Sequence, residues 1–72
     1  MKGMKKTMIQ QHNRIKQYRE ESDKTQEYMA RHLDISLRQY QNIEAGRSAP
    51  SVYTGINIAV ILSKNITAIF PN

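Results

Sequence analysis

Apolar residues recur at helical spacing through most of the chain, and residues that start or stop helices bracket each recurrence. Over 9 to about 22 the pattern predicts a helix, with Ile15 and Tyr18 in line and Arg14, Lys16, Glu20 and Glu21 turned outward. Ser22-Asp23-Lys24 breaks it. Thr25 then stands as the hydroxyl cap of a helix over 26–33, in which Met29, Ala30 and Leu33 fall at i, i+1 and i+4. Asp34 follows where a tight turn needs left-handed backbone, which Asp tolerates less well than Gly. Ser36 opens the next helix, and Gln39 three residues on completes the sequence pattern of a capping box. Gly46 stops that helix.

Residues 47–50 read as a loop, and Ser51 caps a fourth helix over 52–62. Within it, 56–62 is apolar enough to read as a strand, but the stop and start signals at both ends favour helix. Asn65 is placed to cap a last short turn over 66–70, which Pro71 ends. The expectation is an all-α chain, five helices around one core, with a tight helix-turn-helix at its centre.

The third helix is the most informative. At 100° per residue, Tyr40, Ile43 and Glu44 share one side. Arg38, Gln41, Asn42 and Ala45 occupy the other, with Leu37 and Gln39 at the edges. The inner side would rest on Ala30 and Leu33, and Ala30 is small enough to let two helices cross closely. The outer side consists of groups that hydrogen-bond base edges in a DNA major groove. Arg38 matches guanine O6 and N7; Gln39, Gln41 and Asn42 match adenine N6 and N7; Leu37 can meet a thymine methyl.

Size and charge agree with that face. Seventy-two residues make one domain, and a chain this short buries only ~60% of its unfolded surface. The net charge of +5 favours an anionic partner, nucleic acid over membrane. Without cysteine there is no disulfide and no thiolate metal site. No apolar run approaches the ~20 residues of a membrane span. Met1 to Met8 lacks the apolar core of a signal peptide, so a cytoplasmic location is expected. The expected division is a mobile basic arm over 1–8, with Lys2, Lys5 and Lys6, and a DNA-binding domain over 9–72.

Taken in order, Ile15-x-x-Tyr18-Arg19, Thr25-Gln26-Glu27-x-x-Ala30-x-x-Leu33, Ile35-Ser36-x-x-x-Tyr40-x-x-Ile43-Glu44-x-Gly46-Arg47, Pro50-Ser51 and Ile66-x-x-Ile69-Phe70 form one pattern. Over 15–70 it resembles the phage-repressor and Cro-type helix-turn-helix transcriptional regulators, the XRE family. The resemblance implies a compact five-helix bundle of the lambda-repressor-like DNA-binding type, acting as a repressor-like regulator. It places Leu37, Arg38, Gln39 and Asn42 at bases. Gln26, Gln41, Arg47 and Ser48 would lie at phosphates, aided by the amides of 46–48. Arg19 and Glu44 would form an ion pair between helices that orients the third helix.

Departures from the family pattern are local. Asp34 replaces the usual turn glycine, Lys24 a common leucine, Ala45 an asparagine of some relatives and Ser63 a helix-ending glycine. Gly55 stands mid-helix in place of a large aliphatic, at a cost of ~1 kcal/mol relative to Ala unless close packing requires it. Tyr53, Ile56 and Val60 recur at i, i+3 and i+7 on a helix whose core face Val52, Ile58, Ala59 and Leu62 already supply. With Ile66 and Ile69 this second stripe would form a homodimer contact. Two recognition helices would then sit ~34 Å apart on a pseudo-palindromic site in double-stranded DNA.

Catalysis finds no support. Ser22, Ser36 and Ser51 are placed as caps or turn residues with no neighbouring base, and His12 and His32 lack ligand spacing. No enzyme activity, cofactor, metal or small-molecule ligand is expected. The competing reading is a protein-interaction module on the same scaffold, an antitoxin or anti-repressor partner that binds DNA only weakly and without sequence preference.

Overall fold

Local hydrogen-bonding chemistry decides where the helices lie. The computed structural model describes residues 13–71, which form α1 (Ile15–Glu21), α2 (Gln26–Leu33), α3 (Leu37–Glu44), α4 (Val52–Leu62) and α5 (Ile66–Ile69). The described chain is all-helical, with no strand. The arm expected over 1–8 lies outside the described residues.

Three helices open on a hydroxyl that takes the backbone N–H three residues on, which satisfies one of the orphan donors of a helix start. Thr25 Oγ1 accepts from Tyr28 at 2.9 Å, Ser36 Oγ from Gln39 at 3.0 Å and Ser51 Oγ from Thr54 at 3.1 Å. The capping box at Ser36 forms only this one arm, because the exposed Gln39 side chain makes no return bond to it. At Asn65 the cap is backbone alone: its carbonyl accepts from Ala68 and Ile69.

The first helix starts later than its apolar spacing indicates. Asn13 and Arg14 precede α1 in non-helical backbone. The Asn13 side chain bridges two places: its Oδ1 accepts from the Ile15 N–H, and its Nδ2 donates to the Ile43 carbonyl, each at 3.1 Å. The Arg14 N–H donates to the Ile69 carbonyl at 2.8 Å. These bonds tie the start of α1 to α3 and to the end of α5. Residues 9–12 lie outside the described part.

Left-handed backbone ends α2 at Asp34 (φ 58°) and α4 at Ser63 (φ 55°), and Asp23 (φ 57°) makes a third such turn after α1. Each costs roughly 1–2 kcal/mol for a residue with a Cβ. At Asp34 the strain lets the chain reverse at once. Ile35 N–H returns to the Ala30 carbonyl at 3.1 Å, so only three residues separate α2 from α3.

The core joins Ile15, Met29, Ala30, Leu33, Tyr40, Ile43, Ile58, Ala59, Leu62 and Ile69, with Tyr18, Ile35, Leu37, Ile61 and Phe70 packed around it. Two apolar assignments are corrected here. Val52, placed in the core by its helical angle, is 77% exposed as the first residue of α4, while Ile58 and Ala59 further along the helix are buried. Ile69, placed in the dimer stripe, is fully buried, because α5 packs against α4 and Ile69 joins the core cluster.

Gly55 is buried in α4, yet a Cβ there would meet Phe70 Cε2 at 3.7 Å and Ile66 Cδ1 and Pro50 Cγ at 3.9 Å. Those are ordinary contact distances, so close packing does not demand glycine. Gly55→Ala should raise stability by about 0.5–1 kcal/mol, read as an increase in the urea midpoint with an unchanged slope.

Candidate nucleic-acid interface

α3 presents its two faces as the helical angles predict. Tyr40 and Ile43 are buried, while Arg38, Gln39 and Ala45 are exposed, and Gln41 and Asn42 are half-buried. Leu37 is also half-buried, packed against the core, so only part of its side chain is left for a thymine methyl.

A polar network fixes the angle of α3 to α1 and α2. Arg19 Nε donates to Glu44 Oε2 at 2.7 Å and Nη2 to Oε1 at 3.2 Å, a bidentate pair. Arg19 Nη1 donates to the Lys24 carbonyl at 2.8 Å, holding the turn before α2. Tyr40 Oη donates to Glu44 Oε2 at 2.7 Å and Gln26 Nε2 to Glu44 Oε1 at 3.0 Å. Gln41 Nε2 then donates to Gln26 Oε1 at 3.2 Å. The Glu44 side chain is 5% exposed and that of Arg19 is 11% exposed, yet no buried side-chain N or O among the described residues lacks a partner.

The electrostatics follow from this packing. Burial alone would push the Glu44 carboxyl up, but hydrogen bonds from Arg19, Tyr40 and Gln26 outweigh it and hold the group below the usual carboxylate range. Burial and then the bond to Glu44 push the Tyr40 hydroxyl far above the ordinary tyrosine value. The Arg19 guanidinium is raised chiefly by its bond to Glu44. Tyr40, Gln26 and Asn13 are the supports of α3 that sequence reasoning missed. Tyr40 and Glu44 stand at i and i+4 on one face, which was a usable signal. Asn13 reaches a carbonyl thirty residues away, and nothing local announces it.

At the far end of α3, Gly46 (φ 81°) turns the chain back over the helix. Its N–H donates to Ile43, and those of Arg47 and Ser48 donate to the Asn42 carbonyl at 2.8 and 3.3 Å. The amides of 46–48, expected at a phosphate, are therefore occupied in capping α3. The side chains of Arg47 and Ser48 are exposed, and Arg47 Nε donates to Asn42 Oδ1 at 3.0 Å.

The candidate dimer stripe remains apart from these groups. Tyr53 (76% exposed), Val60 (68%), Ile56 (47%) and Ile66 (39%) are open to solvent, and Val52 extends the patch along α4. His32 stacks on Tyr28 with ring centroids 3.9 Å apart, and its Nδ1 lies 2.9 Å from the Tyr28 carbonyl oxygen. No group of three His, Cys, Asp or Glu that could hold a metal occurs among the described residues; His12 lies outside them. None of the described helices is long and apolar enough to cross a membrane.

No curated protein matches the chain significantly. A family model described as Helix-turn-helix matches residues 15–69, which span α1 to α5 and both sides of the polar network. The chain belongs to the Cro-type (XRE) helix-turn-helix family of DNA-binding regulators.

Proposed function

We propose that this chain is a sequence-specific, repressor-like transcription regulator that lays α3 in the major groove. Leu37, Arg38, Gln39 and Asn42 read bases; Gln26, Gln41, Arg47 and Ser48 hold phosphates. The observation that carries this reading is the outer face of α3: Arg38 and Gln39 stand exposed on a helix whose opposite face is buried and clamped through Glu44. A recognition helix needs that rigidity, because the orientation of the helix decides which base edges its side chains reach.

The protein acts in the cytoplasm as a homodimer on a pseudo-palindromic duplex. Support for the dimer comes from the apolar patch of Val52, Tyr53, Ile56 and Val60, whose exposure on one helix is otherwise unexplained. The same patch is what favours the second reading, a protein-interaction module whose main ligand is another protein.

Arg38 separates the two. Arg38→Ala should weaken binding to the best-bound duplex by ~1–3 kcal/mol and change binding to random DNA little, measured by fluorescence anisotropy at fixed salt. An equal loss on both duplexes would make Arg38 a phosphate contact and remove it from base readout.

A further inference from the structure

We propose that Arg47 determines specificity through Asn42: it holds the Asn42 side-chain oxygen, turns the amide NH2 toward the groove, and so couples a phosphate contact to base readout. The inference rests on the reading of α3 as the recognition helix and deepens it by naming the base.

Two bonds join these residues. The left-handed Gly46 brings the Arg47 N–H onto the Asn42 carbonyl at 2.8 Å, and the Arg47 Nε then reaches Asn42 Oδ1 at 3.0 Å. A guanidinium has five N–H donors, and only Nε is taken by Asn42, so the four on Nη1 and Nη2 remain for an anion. A phosphate bound there immobilises Arg47 and with it the rotamer of Asn42.

The consequence is a change in what Asn42 can read. An asparagine reads adenine with both ends of its amide, Oδ1 accepting from N6 and Nδ2 donating to N7. Oδ1 keeps a second lone pair, but the charge-assisted bond ties it back toward Arg47 and opposes the turn of the amide that would set both of its ends against adenine. Guanine offers two acceptors in the groove, O6 and N7, where adenine offers one acceptor beside a donor. Adenine N7 and thymine O4 each offer the NH2 one acceptor, so the base that gives both of its N–H groups a partner, and that Asn42 reads, is guanine.

The test uses the full chain and a panel of duplexes, each differing by one base pair from the best-bound sequence. Wild type should prefer guanine at one position per half-site, and Asn42→Ala should become indifferent there. Arg47→Lys keeps the charge but loses the fork, so it should keep the salt dependence of binding. At that one position it should shift preference toward adenine by about tenfold, leaving other positions alone. An unchanged profile for Arg47→Lys, an equal loss at every position, or an adenine preference of wild type at the Asn42 position would overturn the proposal. A wild type indifferent to every substitution would instead overturn the recognition-helix reading itself, and the proposal with it.

Discussion

Replacing Glu44 with alanine lowers folding stability by about 3–5 kcal/mol, the usual loss when one partner of a buried ion pair is removed. Three groups lose their acceptor at once: the Arg19 guanidinium, the Tyr40 hydroxyl and the Gln26 amide. A domain of this length has roughly 4–10 kcal/mol in total, so the variant sits close to unfolding at 37 °C. The check is a urea titration followed by circular dichroism, where a loss below about 1 kcal/mol would mean that water replaces the network freely. Substituting both Arg19 and Glu44 with apolar residues should be less damaging than Glu44→Ala, because the Arg19 charge is then not left buried alone, although Tyr40 and Gln26 still lose their acceptor.

The same network makes stability depend on pH in a defined direction. Although burial acts to raise the Glu44 carboxyl, its hydrogen bonds from Arg19, Tyr40 and Gln26 hold it below its ordinary value of 4.5. A depressed acid contributes stability that is fully present above the unfolded value and is lost as pH falls through the folded one. Unfolding on acidification should therefore steepen below about pH 4, and Glu44→Gln should flatten that limb.

Ile69→Ala should cost about 2–5 kcal/mol of stability, whereas Val60→Ser on α4 should leave the monomer within about 0.5 kcal/mol of wild type. The two residues look alike in sequence, aliphatic and helical, yet Ile69 is fully buried and Val60 is 68% exposed. Ile69 also anchors the start of the domain, since its carbonyl takes the Arg14 N–H. Truncating it opens a cavity where α5 packs on α4, in a core that counts only ten of the described residues. Parallel thermal melts distinguish them: about 4–8 °C of Tm is expected per kcal/mol in a domain of this size. Equal melting temperatures for the two variants would contradict the burial assigned to Ile69.

How far the sequence reveals this structure depends on the range of the forces involved. The bounds of α2, α3 and α4 are legible because Thr25, Ser36 and Ser51 bond backbone amides three residues away. The split of α3 into a buried side and an Arg, Gln and Asn side follows from angle alone. Depth does not. Val52 lies within 20° of Ala59 on the helical wheel and is exposed because it lies at the helix end, which no wheel records. Ile69 is buried because α5 packs on α4, a fact of tertiary packing. The late start of α1 depends on Asn13 meeting Ile43, and the capture of the 46–48 amides depends on how α3 closes. The resemblance supplied the Arg19–Glu44 pair, while Tyr40 and Gln26 as its further donors emerged only with the side chains in place.

Whether α3 reads a duplex sequence is tested by selection from a randomised duplex pool by the purified chain at ~0.15 M salt, where non-specific binding is already weak. A two-fold-symmetric motif with half-sites about 10 base pairs apart should be enriched, as two copies joined through α4 would require. Absence of any enriched sequence, with binding that fades as salt rises, would contradict sequence readout by α3.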